Sequence, residues 1–266
     1  MRERRLHPSR LRELCSRGEF MRPTAGFCPG YVQANLVVVP AESARDFREF
    51  CRRNPAPCPL LETVGPGSHR SSVLAPGADL LTELPQYRVW EYGVLTSEPG
   101  DIRDLYREDW VFFLLGCSFT FEEDLAAAGV PLRHHREDRN VSMYRTSIPL
   151  DQVGPFGGTM VVSMRPIPSA MVEKVRRITG AHGRHHGAPV HVGAPEAIGI
   201  ADLDRPEYGD RARMRKGDVP VFWACGVTPQ EALRGAALPL AVTHAPGHMF
   251  VGDLRAGRRA PTPGDA

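Results

Sequence analysis

With 266 residues, 42% hydrophobic and 24% charged, the chain has an ordinary globular composition and enough length for one large or two small cores. A net charge of +2, with arginines spread among acids, argues against a nucleic-acid partner, and the basic ends (Arg2, Arg4, Arg5; Arg255, Arg258, Arg259) read as solvated tails. No apolar run approaches the roughly 18 residues of a membrane helix, no apolar core follows the Arg-rich start, and six cysteines lack a CxxC pair; a cytoplasmic protein with reduced thiols, without secretory signal, disulfide framework or zinc knuckle, is expected.

In chain order, a helix capped by Ser9 runs through Leu11 and Leu14 to Gly18. Residues 33–39 form a buried strand ended by Pro40, and Ser43 with Asp46 caps a helix whose apolar side is Ala44, Phe47, Phe50 and Cys51. Strand, short turn and helix in that order indicate an α/β layer. Residues 54–80, rich in Pro, Gly and small polar residues, read as a functional or mobile loop. A strand over 87–92, a short helix over 101–108 and a buried strand over 110–115 follow. Thr120 and Glu123 then cap a helix stopped by Gly129.

Strands over 141–148 and 159–164 and a helix over 169–178 make a two-layer unit in their own right. The expected fold class is therefore α/β: a larger three-layer α/β/α domain (1–115 with 187–266) carrying an inserted two-layer α/β domain (116–186). The last segment holds a short strand around His191 and another before Cys225. After it comes a helix start with the Thr228-x-x-Glu231 capping pattern and Pro229 at the first helical position. Free N–H groups at such a start favour an anion, so a carboxylate seat is expected near Cys225, Gly226 and Gln230. Residues 256–266 should be disordered.

Several residue types point to chemistry. Arg145 and Arg165 sit on apolar strands, where a guanidinium needs either a substrate carboxylate or a buried acid. Cys117 and Cys225 are candidate nucleophiles, Cys225 gaining from the helix start, against the alternative that they are small core fillers. Glu122 between Phe119 and Phe121 would have a raised pKa and serve as a general acid if it points into a cleft, with Ser118 beside it. Gln33 and Asn35 offer amide donors or plain strand-edge hydrogen bonds. His191, His244 and His248 are candidate acid–base groups. A divalent metal held by His191, His244 or His248 with Asp202 or Asp210 is chemically possible, but Pro246 and Gly247 break any HExxH-type helix, and histidines bound to loop backbone are the simpler reading. Together with Thr228 and Gln230, these residues are expected to line one cleft. No Gly-rich phosphate loop and no Gly-x-Ser-x-Gly elbow is present.

The blocks Gly30–Leu36, Asp46–Cys51, Asn54–Leu60, Gly116–Glu122, Met143–Thr146, Val161–Pro166, His186–His191, Ile198–Asp202, Phe222–Gln230 and Thr243–His248 carry a resemblance spread over most of the chain. The sequence resembles the D-glutamate cyclase family and its bacterial hydro-lyase-type members. The resemblance implies two α/β domains and a carbon–oxygen lyase that eliminates water from a small carboxylate or amino acid, with cyclisation of D-glutamate to 5-oxo-D-proline as the reference. The alternatives are a dehydratase or cyclase acting on another metabolite, or a metabolite-binding protein without turnover. One departure stands out: Asp79–Glu83 carries Leu81 where family members have an arginine. No obligatory cofactor is implied, a metal and a homodimer are left open, and neither nucleic acid nor membrane is an expected partner.

Overall fold

The computed structural model describes residues 3–257. Its elements are α1 (Pro8–Ser16), β1 (Tyr31–Pro40), α2 (Ala41–Arg53), β2 (Leu60–Val64), β3 (Tyr87–Glu91), β4 (Val94–Ser97), β5 (Trp110–Gly116), α3 (Glu122–Ala127), α4 (Arg133–Glu137), β6 (Ser142–Pro149), β7 (Thr159–Pro168), α5 (Val172–Gly180), β8 (His191–Val192), β9 (Asp218–Ala224), α6 (Thr228–Ala236), β10 (Ala241–His244) and β11 (Phe250–Arg255). They build two sheets, ordered β2-β5-β1-β10-β3-β4, with β11 also on β1, and β6-β7-β9-β8. Every pairing between these strands is antiparallel.

The larger sheet is layered because β1 is buried on both faces. Val37 and Val39 meet Phe47 and Phe50 of α2 and Leu233 of α6 on one side. Val32, Leu36 and Val38 meet Leu74, Leu80, Leu81 and Leu84 on the other, while α1 runs along β11. The long segment after residue 54 therefore contributes core as well as loop. Buried Glu62 organises it, accepting from Ser71 Oγ (2.8 Å) and from the backbone N–H groups of Ser72 (2.6 Å), Val73 (3.0 Å) and Leu74 (2.9 Å). Leu81 is part of this apolar layer.

In the smaller sheet, β7 divides its side chains by alternation. Met160, Val162 and Met164 face Tyr144, Ile198, Ile200 and Phe222. On the opposite face Ile167 packs with Val221, Trp223, Phe121 and Val175. The result is the expected mixed α/β architecture with two sheets, but the smaller sheet does not stop at residue 186. β8 and β9, expected in the larger domain, pair with each other and β9 pairs with β7 (Arg165 with Val221, Ser163 with Trp223), so this sheet draws on residues 142–224. Residues 241–255 then return to β1.

Two of the expected caps shift because the hydroxyl finds its partner across the chain. Thr228 Oγ1 accepts from the backbone N–H of Val161 (3.0 Å) and leaves α6 without a side-chain cap. Thr120 Oγ1 takes the Gln33 N–H (3.0 Å), and the chain there makes a tight turn over Ser118–Phe121 before α3. α2 starts at Ala41 directly after Pro40, without help from Ser43. At α1 the His7 ring, not Ser9, provides the cap. The helix expected over 101–108 is one turn, Arg103–Leu105. Most of the tail expected to be disordered, with Arg258 and Arg259, lies outside the described residues, as does Arg2; Arg4 pairs with Asp138.

Candidate active site at the junction of the two sheets

The ends of β1 and β5 meet β7 and the turn after β9, and two glycines let them approach. A side chain at Gly116 would strike the Arg184 carbonyl, 1.8 Å from the Cβ position, and one at Gly226 would strike the Asn35 amide at 2.1 Å. Asn35 donates to the Gly116 carbonyl (2.7 Å) and lies against Gly226. Cys117, Cys225, Val161 and Val227 pack together here. Gln33, two residues before Asn35 and on the same face, is used in holding a loop: it accepts from Thr24 Oγ1 (2.7 Å) and donates to the Thr24 and Phe27 carbonyls.

Arg165, 1% exposed, answers the question its strand position raises, since its partner is a buried acid. Its Nε and Nη2 donate to Glu122 Oε1 (2.8 and 2.5 Å), Nη1 donates to Ser163 Oγ (3.2 Å) and Nη2 to Ser118 Oγ (2.9 Å). The guanidinium also lies over Trp223 and Phe121. Glu122 further meets His134 Nε2 (2.9 Å) and His135 Nε2 (2.5 Å). Burial alone would push this carboxyl up, yet His134, Arg165 and His135 together hold it well below the usual carboxylate range. The expectation of a raised-pKa general acid is therefore corrected: Glu122 is ionised. Arg145 does not join Arg165. It is largely exposed and forks onto Glu231 (3.0 Å to each oxygen) beside Tyr208, in an outer cavity of about 540 Å³.

A second polar group lies where the larger sheet splits. β1 pairs with β10 at Val37 and Val38 and with β11 at Gln33 and Ala34, leaving Asn35 and Leu36 between the two partners. The His244 ring fills that gap with Nδ1 3.1 Å from the Leu36 carbonyl, so Nδ1 carries the proton. Burial pushes His244 down to about 3, and the ring is neutral with Nε2 as its acceptor. Gln230 Nε2 donates to the His244 carbonyl (2.9 Å) and lies 3.5 Å from His244 Nε2. Gln230 Oε1, on a residue 0% exposed, has no donor. An orphaned buried polar atom costs about 1–3 kcal/mol, a condition Gln230 Oε1 shares with Arg133 Nε and His185 Nδ1 among the described residues.

Other expected site residues are placed differently. His191 bonds the Ala194 carbonyl (2.8 Å) and stacks on Phe222, on the face of the smaller sheet away from Trp223. Asp202 accepts from the Asp204 N–H, Asp210 from the Asn140 N–H, and His248 lies by the Pro246 carbonyl. The metal set His191, Asp202 and His244 thus does not assemble. Among the described residues the one group whose donor atoms lie within 4.8 Å of one another is Glu122, His134 and His135, capable of holding a divalent ion. The His134-His135 pair is the signal the sequence reading missed: adjacent imidazoles carry no diagnostic spacing, and their partner lies twelve residues before. Cys225 does not gain acidity from α6, which begins three residues later; burial pushes its thiol up to about 11 and raises Cys117 as well. Nor is the helix start an open anion seat. The Thr228 and Gln230 N–H groups bond to Cys225 and Val227 carbonyls, Pro229 has none, and Asn35 fills the approach at Gly226.

Known proteins resemble this chain closely. The family profile described as D-glutamate cyclase matches residues 111–253. A protein named "Putative hydro-lyase" from Rubrobacter xylanophilus is 55% identical over 92% of this chain and 94% of its own. One from Stutzerimonas stutzeri is 52% identical over 95% of each, and one from Geobacillus kaustophilus 52% identical over 92% and 93%. No helix among the described residues is long and apolar enough to cross a membrane. Family membership supports a hydro-lyase or cyclase type of reaction. The chain belongs to the D-glutamate cyclase family.

Proposed function

We infer that the chain removes water from a small amino diacid, with D-glutamate as the reference substrate, at the sheet junction around His244. The observation that carries this reading is the buried acceptor Gln230 Oε1, which has no donor, beside His244 Nε2, whose donor Gln230 Nε2 stands at a long 3.5 Å. Two converging neutral acceptors suit a group rich in N–H, and an α-ammonium is the part of an amino acid that supplies it. The desolvation that keeps His244 neutral also disfavours a buried ammonium, so the amine would be delivered with its lone pair available.

Cyclisation then needs the ammonium to give up one proton, the amine nitrogen to attack the side-chain carboxyl carbon and give up a second, one C–O bond to break, and the departing carboxylate oxygen to take up both protons and leave as water. His244 Nε2 suits the acceptance and return of such a proton. This reading assigns orientation of the carboxylates to Asn35, whose amide would have to give up its bond to the Gly116 carbonyl, and to Ser118, which Arg165 holds and supplies with positive field. Entry requires the loops over the junction to part.

The test is incubation of the protein with D- and L-amino acids and hydroxy acids, read by mass spectrometry for loss of one water. His244→Gln should lower kcat/KM about 100-fold or more, the usual contribution of a positioned acid–base group. Full turnover by that variant removes His244 from the reaction. A panel in which acids bind unchanged makes the chain a metabolite-binding protein.

A further inference from the structure

The two imidazoles on Glu122 have no role in the reaction just described, and one of them, His135, lines a separate opening. We propose that Glu122 Oε2, His134 Nε2 and His135 Nε2 bind a divalent transition cation of the zinc class. Imidazole nitrogen with carboxylate oxygen is a donor set such ions favour. Consecutive residues of α4 bring the two Nε2 atoms to the carboxylate that begins α3, at 2.9 and 2.5 Å, with all three donors inside 4.8 Å.

Arg165 acts from the other side. It holds Oε1 through Nε and Nη2, the kind of outer hydrogen bond that fixes a ligating carboxylate; His134 Nε2 meets the same Oε1 and His135 Nε2 meets Oε2, so His134 must turn from Oε1 to an ion on Oε2. A cavity of about 50 Å³ opens beside the group, bounded by Gly26, Cys28, Gln33, Glu123 and His135. That is room for a water as a further ligand. Glu122 and Arg165 cancel in charge, so a dication needs compensation, and Glu123 on the wall of the same cavity supplies it. With metal–ligand bonds near 2 Å, two ligands of a tetrahedral ion stand roughly 3.3 Å apart, so Oε2 and His135 Nε2 need to open by less than about 1 Å, the other donors already lying within 4.8 Å. Each imidazole then carries its proton on Nδ1. Such an ion would tie α3 and α4 together, whatever the substrate of the junction.

The test uses the full chain, treated with chelator and then titrated with Co²⁺ and Zn²⁺. One equivalent of Co²⁺ should bind with the visible absorption of a low-symmetry His/carboxylate site, and Zn²⁺ should raise Tm. His135→Gln, at a side chain 21% exposed, should fold as judged by circular dichroism and lose affinity more than tenfold, with no Zn²⁺ shift in Tm. His69→Gln, at an unrelated histidine, should behave as the wild type. Absence of stoichiometric binding to the wild type, or an unchanged affinity and spectrum in His135→Gln, overturns the assignment; in the second case the ion sits on other histidines. The wild-type titration decides on its own if the variant fails to fold.

Discussion

Glu62 and Glu122 are both 2% exposed, but they are satisfied by different chemistry. Glu62 takes its donors from serine hydroxyls and backbone N–H groups, which cannot change charge, and it pins the irregular segment that covers one face of the larger sheet. Glu122 takes its donors from a guanidinium and two imidazoles contributed by β7 and α4. The first arrangement is a fold anchor. The second joins separate elements through groups that exchange protons or metal. A buried charge surrounded by fixed dipoles is thus an architectural device, whereas one surrounded by ionisable side chains is a place to look for function.

The largest effect should come from separating the charges at the junction. Arg165→Leu leaves Glu122 buried with only imidazole donors, and loss of one partner of a buried pair costs about 3–5 kcal/mol. Urea unfolding of the single variant and of Arg165→Leu with Glu122→Gln measures it. The double variant should recover part of the loss, because the uncompensated charge is gone. Equal stability of the single and double variants would show that the pair is not coupled.

Glu62→Ala should cost about 2–4 kcal/mol, since several buried N–H and O–H donors lose one acceptor together. Hydrogen exchange should show the damage confined to residues 71–84, under the larger sheet, with the Glu122 region unchanged. Loss of protection at Ser163 and Arg165 would mean that the two regions are one cooperative unit and that the contrast between them is false.

His244 sharpens the contrast with a polar group held neutral. Its folded value, about 3, lies below the ordinary histidine value near 6.5, so the unfolded chain binds more protons between those limits. The stability this contributes is complete above the unfolded value and is lost as pH falls from about 6.5 toward 3, by up to roughly 1.4 kcal/mol per unit. His185 and His186, pushed down to about 3 and about 4 by burial, act in the same direction. Unfolding free energies between pH 7 and pH 5 should therefore fall, and His244→Gln should flatten the slope by one proton's worth. An identical slope in the variant would mean that His244 titrates normally.

How much of this was legible depends on whether a residue's partner is local. The apolar runs of β1 and β5, the amphipathic side of α2 and the block pattern of the family were readable because hydrophobic alternation and short motifs lie within one element. Arg165 was recognisable as needing a partner, but nothing in the sequence distinguished Glu122 from a substrate. The caps at Thr120 and Thr228 were misread because their hydroxyls bond Gln33 and Val161, far along the chain. His191 was misplaced because one residue of register decides which sheet face it joins. The orphaned acceptor on Gln230 is a purely tertiary fact.

The smallest effect should come from Arg145, which the sequence made equivalent to Arg165 and the fold does not. Both are strand arginines forked onto a glutamate, yet Arg145 has 43% of its side chain exposed, and Glu231 also meets Tyr208 and Arg234. Water and salt screen such a pair, and exposed ion pairs contribute about 0–1 kcal/mol. Arg145→Ala should shift unfolding free energy by under about 1 kcal/mol, less still in high salt. If the junction around His244 is where substrate is held, the variant should also keep kcat/KM within about twofold on whatever acid is turned over, since its guanidinium faces the outer cavity. A rise in KM with an unchanged melting curve would instead assign substrate recognition to the outer cavity, and would move the site from the neutral junction to the arginine-lined surface beside Tyr208.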